Sequence, residues 1–592
     1  MVVSVCDHAS LVGADVLRRG GSAVDAAIAV AFALAVTYPP AGNIGGGGFM
    51  LIHPADGSPP VCVDYRECAP AAATTHMLAH DVAETDARMV GVPGTVRGLA
   101  LAHEHFGRTA WRDLVGPAVE LAERGFPVNA ALARSLNDVR RHHPQMSALQ
   151  AAYRPPRGSA DWSAGDRLIQ PELAETLRRL ADGGETAFYE GAIADQIVAE
   201  MSATNGLITR ADLAAYRARL RPPIRGAYRG FDIFAAPPPS SGGIVLVEAL
   251  HMLEPFELRQ APRWSVHTLH IISECMRRAY RDRAAWLGDP DFVPIPGHLV
   301  TRSYARALAD SIDPARATPS ASLAGEIALA NEGESTTHFS VVDASGMAVA
   351  NTYTLEDSYG SKIVVRGAGF LLNNQMGDFN ARPGLTDRRG AIGTPPNVIV
   401  PGKRMLSSQT PAIVARNGRP VIVTGSPGGR TIPNTVLCVL LNALEFEMPP
   451  ADAVAAARLH HQWFPDEIRL ETTAPVTSDA IRRLQQMGHA VRQRTADGSP
   501  FVQGDAHTIF VRNSELLGIA DHRIHGSAIG VTLAPDGQAG PHRADSGAAY
   551  YDDAAARHAR ARASMASNRP AAMSAGSNSA FTNPSAHAPA RR

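Results

Sequence analysis

The stretch Glu334-Ser335-Thr336-Thr337-His338-Phe339-Ser340-Val341-Val342-Asp343 constrains this chain more than any other. A polar, helix-poor run, Asn331 to Ser335, leads straight into a strand-like segment. Asp343-Ala344-Ser345-Gly346 then reads as a hairpin turn into a second strand, Val349–Thr354. Upstream the chain is rich in helices, and from here strands take over. Two adjacent threonines stand at the junction. The hydroxyl of an internal threonine can attack the carbonyl before it and break the chain there. At a new N-terminus a threonine carries both a nucleophile and a base, because a free α-amino group has a pKa of roughly 7.7–8.0. That pairing is the threonine-plus-amine form of an activated nucleophile. A Thr-Thr pair alone is equally the start of an ordinary strand, so its meaning depends on the rest of the chain.

At 592 residues, with 45% hydrophobic and 19% charged residues, the chain is an enzyme-sized globular protein of two to four domains or one large layered fold. A net charge of −1 provides no field to recruit nucleic acid or an anionic membrane. The five cysteines, Cys6, Cys62, Cys68, Cys275 and Cys438, contain no CxxC, and the residues indicate neither a metal site nor a disulfide framework. The longest apolar run, Ala26 to Val36, is too short to span a bilayer. It reads as a buried helix, opened by a Ser22/Asp25 capping box and closed by Pro39-Pro40. Met1–Cys6 is strand-like and is followed by Asp7 and His8, with no basic region or cleavage site of a signal peptide.

Helical periodicity or capping marks 11–19, 22–36, 94–106, 109–124, 171–183, 189–202, 243–253, 264–287 and 301–312, and later 432–446, 451–457 and 477–487. Strands are expected at Gly48–Ile52, Val61–Tyr65, Phe231–Ala235, Thr337–Asp343, Val349–Thr354, Ile363–Val365, Phe370–Leu372, Ala412–Ala415 and Val421–Thr424, with two more at 508–512 and 516–520. From about Asp553 the composition of Ala, Ser, Arg, Asn and Pro predicts a disordered tail.

Several short motifs could carry chemistry. Gly45-Gly46-Gly47-Gly48 permits close backbone packing but is neither a dinucleotide fingerprint nor a P-loop. Arg66, in Asp64-Tyr65-Arg66-Glu67, could clamp a carboxylate with its planar fork or belong to a solvated charge cluster. Gly428 and Gly429, in a strand-to-helix turn, could present backbone N–H groups to an oxyanion. Ser407-Ser408 and Asp378 together would suit an amino-acid head group, hydroxyls for its carboxylate and a carboxylate for its ammonium. Pro237 to Gly243 reads as an architectural loop, and His460-His461 as structural.

Taken together, these blocks resemble the γ-glutamyltranspeptidases of the N-terminal nucleophile hydrolase superfamily. The matching runs are Gly42 to Met50, Asp64 to Glu67, Val92 to Val96, Pro237 to Gly243, Thr336 to Asp343, Leu371 to Met376, Leu406 to Ser408 and Gly425 to Gly429. The resemblance implies an α+β fold, a four-layer αββα sandwich with a helix-rich N-terminal half. It further implies a precursor that cuts itself between Ser335 and Thr336, leaving a large subunit of residues 1–335 and a small subunit of 336–552 that carries the nucleophile, followed by the 553–592 tail. Thr336 would attack a γ-glutamyl amide and pass the acyl group to water or to an amino acid or dipeptide acceptor, with no cofactor or metal. Gly428 and Gly429 would form the oxyanion hole, Thr354 would hold the Thr336 amine, and Thr352 would assist maturation. Arg66, Ser407 and Ser408 would bind the substrate α-carboxylate, and Asp378 and Gln375 its amino end. The implied partners are glutathione and other γ-glutamyl compounds, and the working form is a heterodimer of the two fragments. Members are usually periplasmic or extracellular, whereas no signal peptide is read here.

Two departures from the family pattern bear on the substrate. Glu356 stands where many bacterial members have an Asn that touches the substrate amino group. Arg389, in the expected lid loop Ala381–Val400, stands where lid-bearing members have a Tyr that latches onto that Asn. An ion pair between Glu356 and Arg389 is therefore expected as a replacement latch, with Arg388 adjacent. A related acylase acting on glutaryl or β-lactam side-chain amides is the alternative activity, although a glutaryl group has no α-amine for Asp378. An unprocessed, non-enzymatic scaffold is a third reading, disfavoured by the retention of Thr336, Thr354 and the glycine pair.

Overall fold

The computed structural model describes residues 1–532, apart from 81, 326–336, 391, 496–497 and 514. Two antiparallel sheets form its centre. The first has seven strands in the order Ser527–Ile529, Val2–Ser4, Thr337–Val342, Ala348–Thr354, Gly47–His53, Val61–Asp64 and Arg219–Arg221. The second has six, in the order Glu515–Ile519, Thr508–Arg512, Arg419–Thr424, Ala412–Arg416, Phe231–Ala235 and Ile224–Tyr228.

Side-chain alternation along the strands divides the apolar residues among three cores. On Thr337–Val342, Phe339 and Val341 face the helices over the first sheet, while Val342 faces the second sheet. On Ala348–Thr354, Val349 and Tyr353 take the helix side and Ala348 and Ala350 the inter-sheet side, where they meet Phe49, Ile413, Val423 and Ile509. The first sheet's outer face is covered by helices that include Asp7–Arg18, Ala23–Thr37, Trp111–Arg124 and Pro171–Tyr189. The second sheet is covered by Gly242–Leu253, Val266–Trp286 and Ile432–Leu440. Helix, sheet, sheet and helix make the four-layer αββα arrangement, and each interlayer has its own core.

The central helix Ala23–Thr37 is buried along its whole length. Its N-terminus cannot rely on water, so every orphan N–H there needs a protein acceptor. Ser22 Oγ accepts from Asp25 N at 3.1 Å, and Asp25 Oδ2 accepts from Ser22 N at 2.8 Å. Asp343 Oδ2 accepts from Ala23 N at 2.8 Å, so the hairpin turn also caps this helix.

Several elements differ from the sequence reading. Ile363–Val365 and Phe370–Leu372 make only a single bridge, Val364 to Leu371, because Gly367 and Gly369 at positive φ turn the chain too tightly for a ladder. The helix at 171–183 runs on to Tyr189 through a break at Gly184. Helices at Ala130–His142, Ser147–Ala152 and Arg210–Ala215 are additional. The cleavage junction Ser335–Thr336 and the 553–592 tail lie outside the described residues. Among the described residues, no helix is long and apolar enough to cross a membrane.

Candidate functional site

The site sits where strand ends and loops from both sheets converge. Thr352 and Thr354 point from one strand into the space between the sheets, in phase with Ala350. That strand lies unusually close to its neighbour Gly47–His53. A Cβ at Gly46 would stand 2.0 Å from Thr354 O, and one at Gly48 would stand 2.4 Å from Thr352 O. The glycine run therefore serves close backbone approach beside the site.

Arg66 follows the end of the Val61–Asp64 strand and is fully buried. Its backbone is held by Asp64 Oδ1, which accepts from Arg66 N at 3.0 Å, and by Tyr216, whose hydroxyl donates to Arg66 O at 2.9 Å. The guanidinium pairs with Asp378 and lies 3.6 Å from Glu67 Oε2. Burial opposes the Arg66 charge, but Asp378, Glu67 and Glu356 outweigh it and raise its pKa. Burial also raises the Glu67 carboxyl to about 7, against the pull of Arg66.

Asp378 ends the short turn Gln375–Asp378. Asn397 Nδ2 donates to its carbonyl at 2.7 Å, and Asn373, whose Oδ1 accepts from Gln375 N at 3.0 Å, pins the turn's other end. Gln375 Nε2 donates to the carboxylates of both Glu356 and Asp378, the latter at 2.9 Å. Glu356 has φ of 82°, and its backbone N–H donates to Thr354 Oγ1 at 2.8 Å. Burial, reinforced by the neighbouring Asp378 charge, raises the Glu356 carboxyl well above the usual range.

Ser407 and Ser408 are fixed from the helix-covered side. The Pro237–Gly243 loop receives them, with Ser407 N donating to Pro239 O and Ser241 N to Ser407 O, both at 2.8 Å. Arg283, buried on the Val266–Trp286 helix, donates to Ser408 Oγ and to Ser241 Oγ, each at 3.0 Å. Gly428 and Gly429 have φ of 124° and 53°. Thr431 N and Oγ1 both donate to Gly428 O, at 3.0 and 2.8 Å, and no hydrogen bond from either glycine N–H to another described residue is seen.

Arg66, Thr354, Glu356, Asp378, Ser407, Ser408 and Gly429 line one cleft. Gly428 adjoins it through Gly429, and Gln375 through the two carboxylates it bridges. Thr352 lies deeper on the Thr354 strand. The Oε1 of Gln375 and the Nη1 of Arg66, which faces Glu67 Oε2 at 3.6 Å, are buried beside the cleft without a hydrogen-bond partner among the described residues. Ser335 and Thr336 lie outside the described residues, although the strand beginning at Thr337 pairs directly with the one carrying Thr354.

The expected Glu356–Arg389 ion pair does not form. The Arg389 side chain is 81% exposed and lies 3.5 Å from Asp387, while Glu356 is turned inward to Gln375. The lid segment is tied instead by Arg430, whose guanidinium donates to Gly390 O. Gly390, at φ 114°, turns that carbonyl inward, and the preceding arginine points out. Arg430 also lines the cleft and is buried, which lowers its pKa to about 9 with help from Arg283. Sequence reasoning passed over both arginines. Arg283 is one of several charges on its helix, and Arg430 follows a glycine turn with no motif of its own.

The γ-glutamyltranspeptidase family model matches residues 9–531. The glutathione hydrolase proenzyme of Escherichia coli K12 is 43% identical over 536 residues, covering 88% of this chain and 90% of the relative. That of Pseudomonas aeruginosa is 40% identical over 544 residues, covering 89% and 94%. The crystal structure of cephalosporin acylase from Bacillus halodurans superposes with a TM-score of 0.77 at 26% identity, covering 89% of this chain and 94% of that one. With this match, at this identity and over this span, the chain belongs to the γ-glutamyltranspeptidase family.

Proposed function

We propose that this protein is a self-cleaving γ-glutamyltransferase and glutathione hydrolase that works through Thr336. Cleavage of the 335–336 bond frees the Thr336 amine. The Thr336 hydroxyl then attacks the γ-carbonyl of a glutamyl amide, its proton passes by way of the amine to the leaving amine, and a γ-glutamyl ester remains. Water or an amino acid or dipeptide amine resolves the ester. Gly428 and Gly429 N–H groups would face the developing oxyanion, a contribution that can reach about 2.7–4 kcal/mol per donor.

One observation carries this reading. The cleft sets the Arg66 guanidinium and the Ser407 and Ser408 hydroxyls beside the carboxylates of Asp378 and Glu356. A zwitterionic head group matches both charges. Its carboxylate lies against Arg66 and the hydroxyls of Ser407 and Ser408, and its ammonium lies against Asp378, Glu356 and Gln375 Oε1. The internal ion pair is thus exchanged for two pairs with the substrate, which limits the cost of opening it. Glu356, held protonated when the site carries no ammonium, releases its proton when one arrives.

A glutaryl amide presents neither the carboxylate–ammonium pair nor a reason to ionise Glu356. Release rates from γ-glutamyl and glutaryl anilides separate the two activities. A γ-glutamyl preference of at least about a hundredfold is expected, from two lost charge-assisted contacts. Equal or reversed rates would sink the γ-glutamyl reading in favour of the acylase.

A further inference from the structure

We infer that His338 is a positioning residue for precursor cleavage, acting through Thr352; this rests on the self-cleavage reading above. The strands Thr337–Val342 and Ala348–Thr354 pair so that His338 stands opposite Thr352. His338 Nδ1 lies 2.8 Å from Thr352 Oγ1, and Nε2 lies 3.1 Å from Ser340 Oγ. All three side chains are buried. Among the described residues, His338 is the one hydrogen-bond partner of the Thr352 hydroxyl.

The direction of these bonds follows from counting protons. Ser340 Oγ is 2.9 Å from His507 O and 3.3 Å from Val423 O, two carbonyls that only accept. The single Ser340 proton goes to a carbonyl, so Ser340 Oγ accepts from His338 Nε2–H. Burial, with His507 nearby, drives the imidazole pKa well below its ordinary value, so the ring carries one proton, on Nε2. Nδ1 is then a lone pair, and Thr352 Oγ1 must donate to it. This leaves the lone pairs of Thr352 as acceptors. The ring has no room to turn away, because a Cβ at Gly425 would stand 2.4 Å from both Nδ1 and Cε1.

Thr337, the residue that follows Thr336 in the sequence, pairs with Tyr353, one residue from Thr352. In cleavage the Thr336 oxygen bonds to the Ser335 carbonyl carbon. Its proton passes to Thr352 Oγ1 as Thr352 hands its own to His338 Nδ1. When the bond between carbonyl carbon and nitrogen breaks, the proton returns by the same path to the departing Thr336 nitrogen. Water then hydrolyses the ester, its hydroxyl staying on the Ser335 carbonyl and its hydrogen on the Thr336 oxygen. The reversed tautomer, with N–H on Nδ1, has no lone pair there to receive the Thr352 proton and so blocks the first transfer.

The test follows cleavage of freshly purified full-length chain by denaturing electrophoresis, with melting temperature recorded for each variant. His338→Asn keeps an amide oxygen near the Nδ1 position that can orient the Thr352 hydroxyl but cannot take its proton, so cleavage should slow about tenfold, whereas His338→Gln, whose amide reaches toward Ser340, should slow cleavage about a hundredfold. Ser340→Ala leaves Nε2 without an acceptor and favours the reversed tautomer, so cleavage should slow about tenfold. Equal slowing in His338→Asn and His338→Gln, or parental rates in His338→Gln and Ser340→Ala at unchanged melting temperature, overturns the role of His338 while self-cleavage stands. A parent chain that never cleaves overturns both.

Discussion

At the residue scale, the site is a set of buried charges that are only partly neutralised by one another. Arg66 is central to it. Its planar fork meets Asp378 through Nη2 and faces Glu67 at 3.6 Å through Nη1, a geometry a lysine cannot reproduce. Arg66→Lys is therefore expected to raise KM for a γ-glutamyl anilide about ten- to a hundredfold, with a smaller effect on kcat, as steady-state kinetics will report. Glu67 supplies a pH test of the same cluster. Its carboxyl is raised from 4.5 to about 7 in the fold, so the stability its protonated form contributes is complete below about 4.5 and lost as pH rises through about 7. Glu67→Gln keeps the shape and removes the ionisation. Its melting temperature relative to the parent should rise between pH 5 and pH 8, by the equivalent of at most about 3 kcal/mol. A difference that stays flat or falls across that range would contradict the raised carboxyl. Arg66, Ser407 and Ser408 are singled out in the sequence by short runs of the family pattern, whereas Asp378 lies in a loop outside those runs and gains meaning only beside them. Arg283 was not legible, since nothing in a 21-residue helix with several arginines says which one is buried against Ser408.

At the scale of elements, the lid segment shows where sequence reasoning reaches its limit. A loop between Asp378 and Ser407 was readable from length and register, but its path was not, because backbone turns carry no periodic signal. Pairing the two altered positions, Glu356 and Arg389, suggested a latch, whereas Gly390 at φ 114° presents its carbonyl to Arg430 and sends Arg389 into solvent. A Cβ at Gly390 would stand 2.8 Å from Phe464 O. Gly390→Ala should therefore loosen the lid by about 1–3 kcal/mol, read as faster proteolysis within 381–400. Arg389→Ala should leave both proteolysis and KM unchanged, and a rise in either would restore the ion-pair latch. Elsewhere the elements were more transparent. The capping box at Ser22 and the hairpin at Asp343–Gly346 were legible because capping and turn chemistry are local. The Ala130–His142 helix was missed although Asn129 caps it and Leu132, Ala133, Leu136 and Val139 line one face, because its many polar residues mask that stripe.

At the scale of the whole molecule, two sheets with their helices bring residues from distant parts of the chain to one cleft. Arg66 follows the strand next to the edge of the first sheet, Thr354 comes from its middle, Gly428 and Gly429 from the end of a second-sheet strand, and Ser407 from a loop clamped by Pro239 and Ser241. The four layers themselves were anticipated from the family pattern rather than from periodicity, which predicts strands but not the order in which they pair. Cleavage at the 335–336 bond would leave the fold's strand order intact, because the break falls before Thr337, where the strand pairing begins. Intact-mass measurement of the purified protein tests the central claim most directly. Two fragments are expected, one ending at Ser335 and one beginning at Thr336, with Thr336→Ala remaining a single full-length chain. A single full-length mass for the parent protein, or a fragment boundary at any other bond, would contradict Thr336 as the nucleophile.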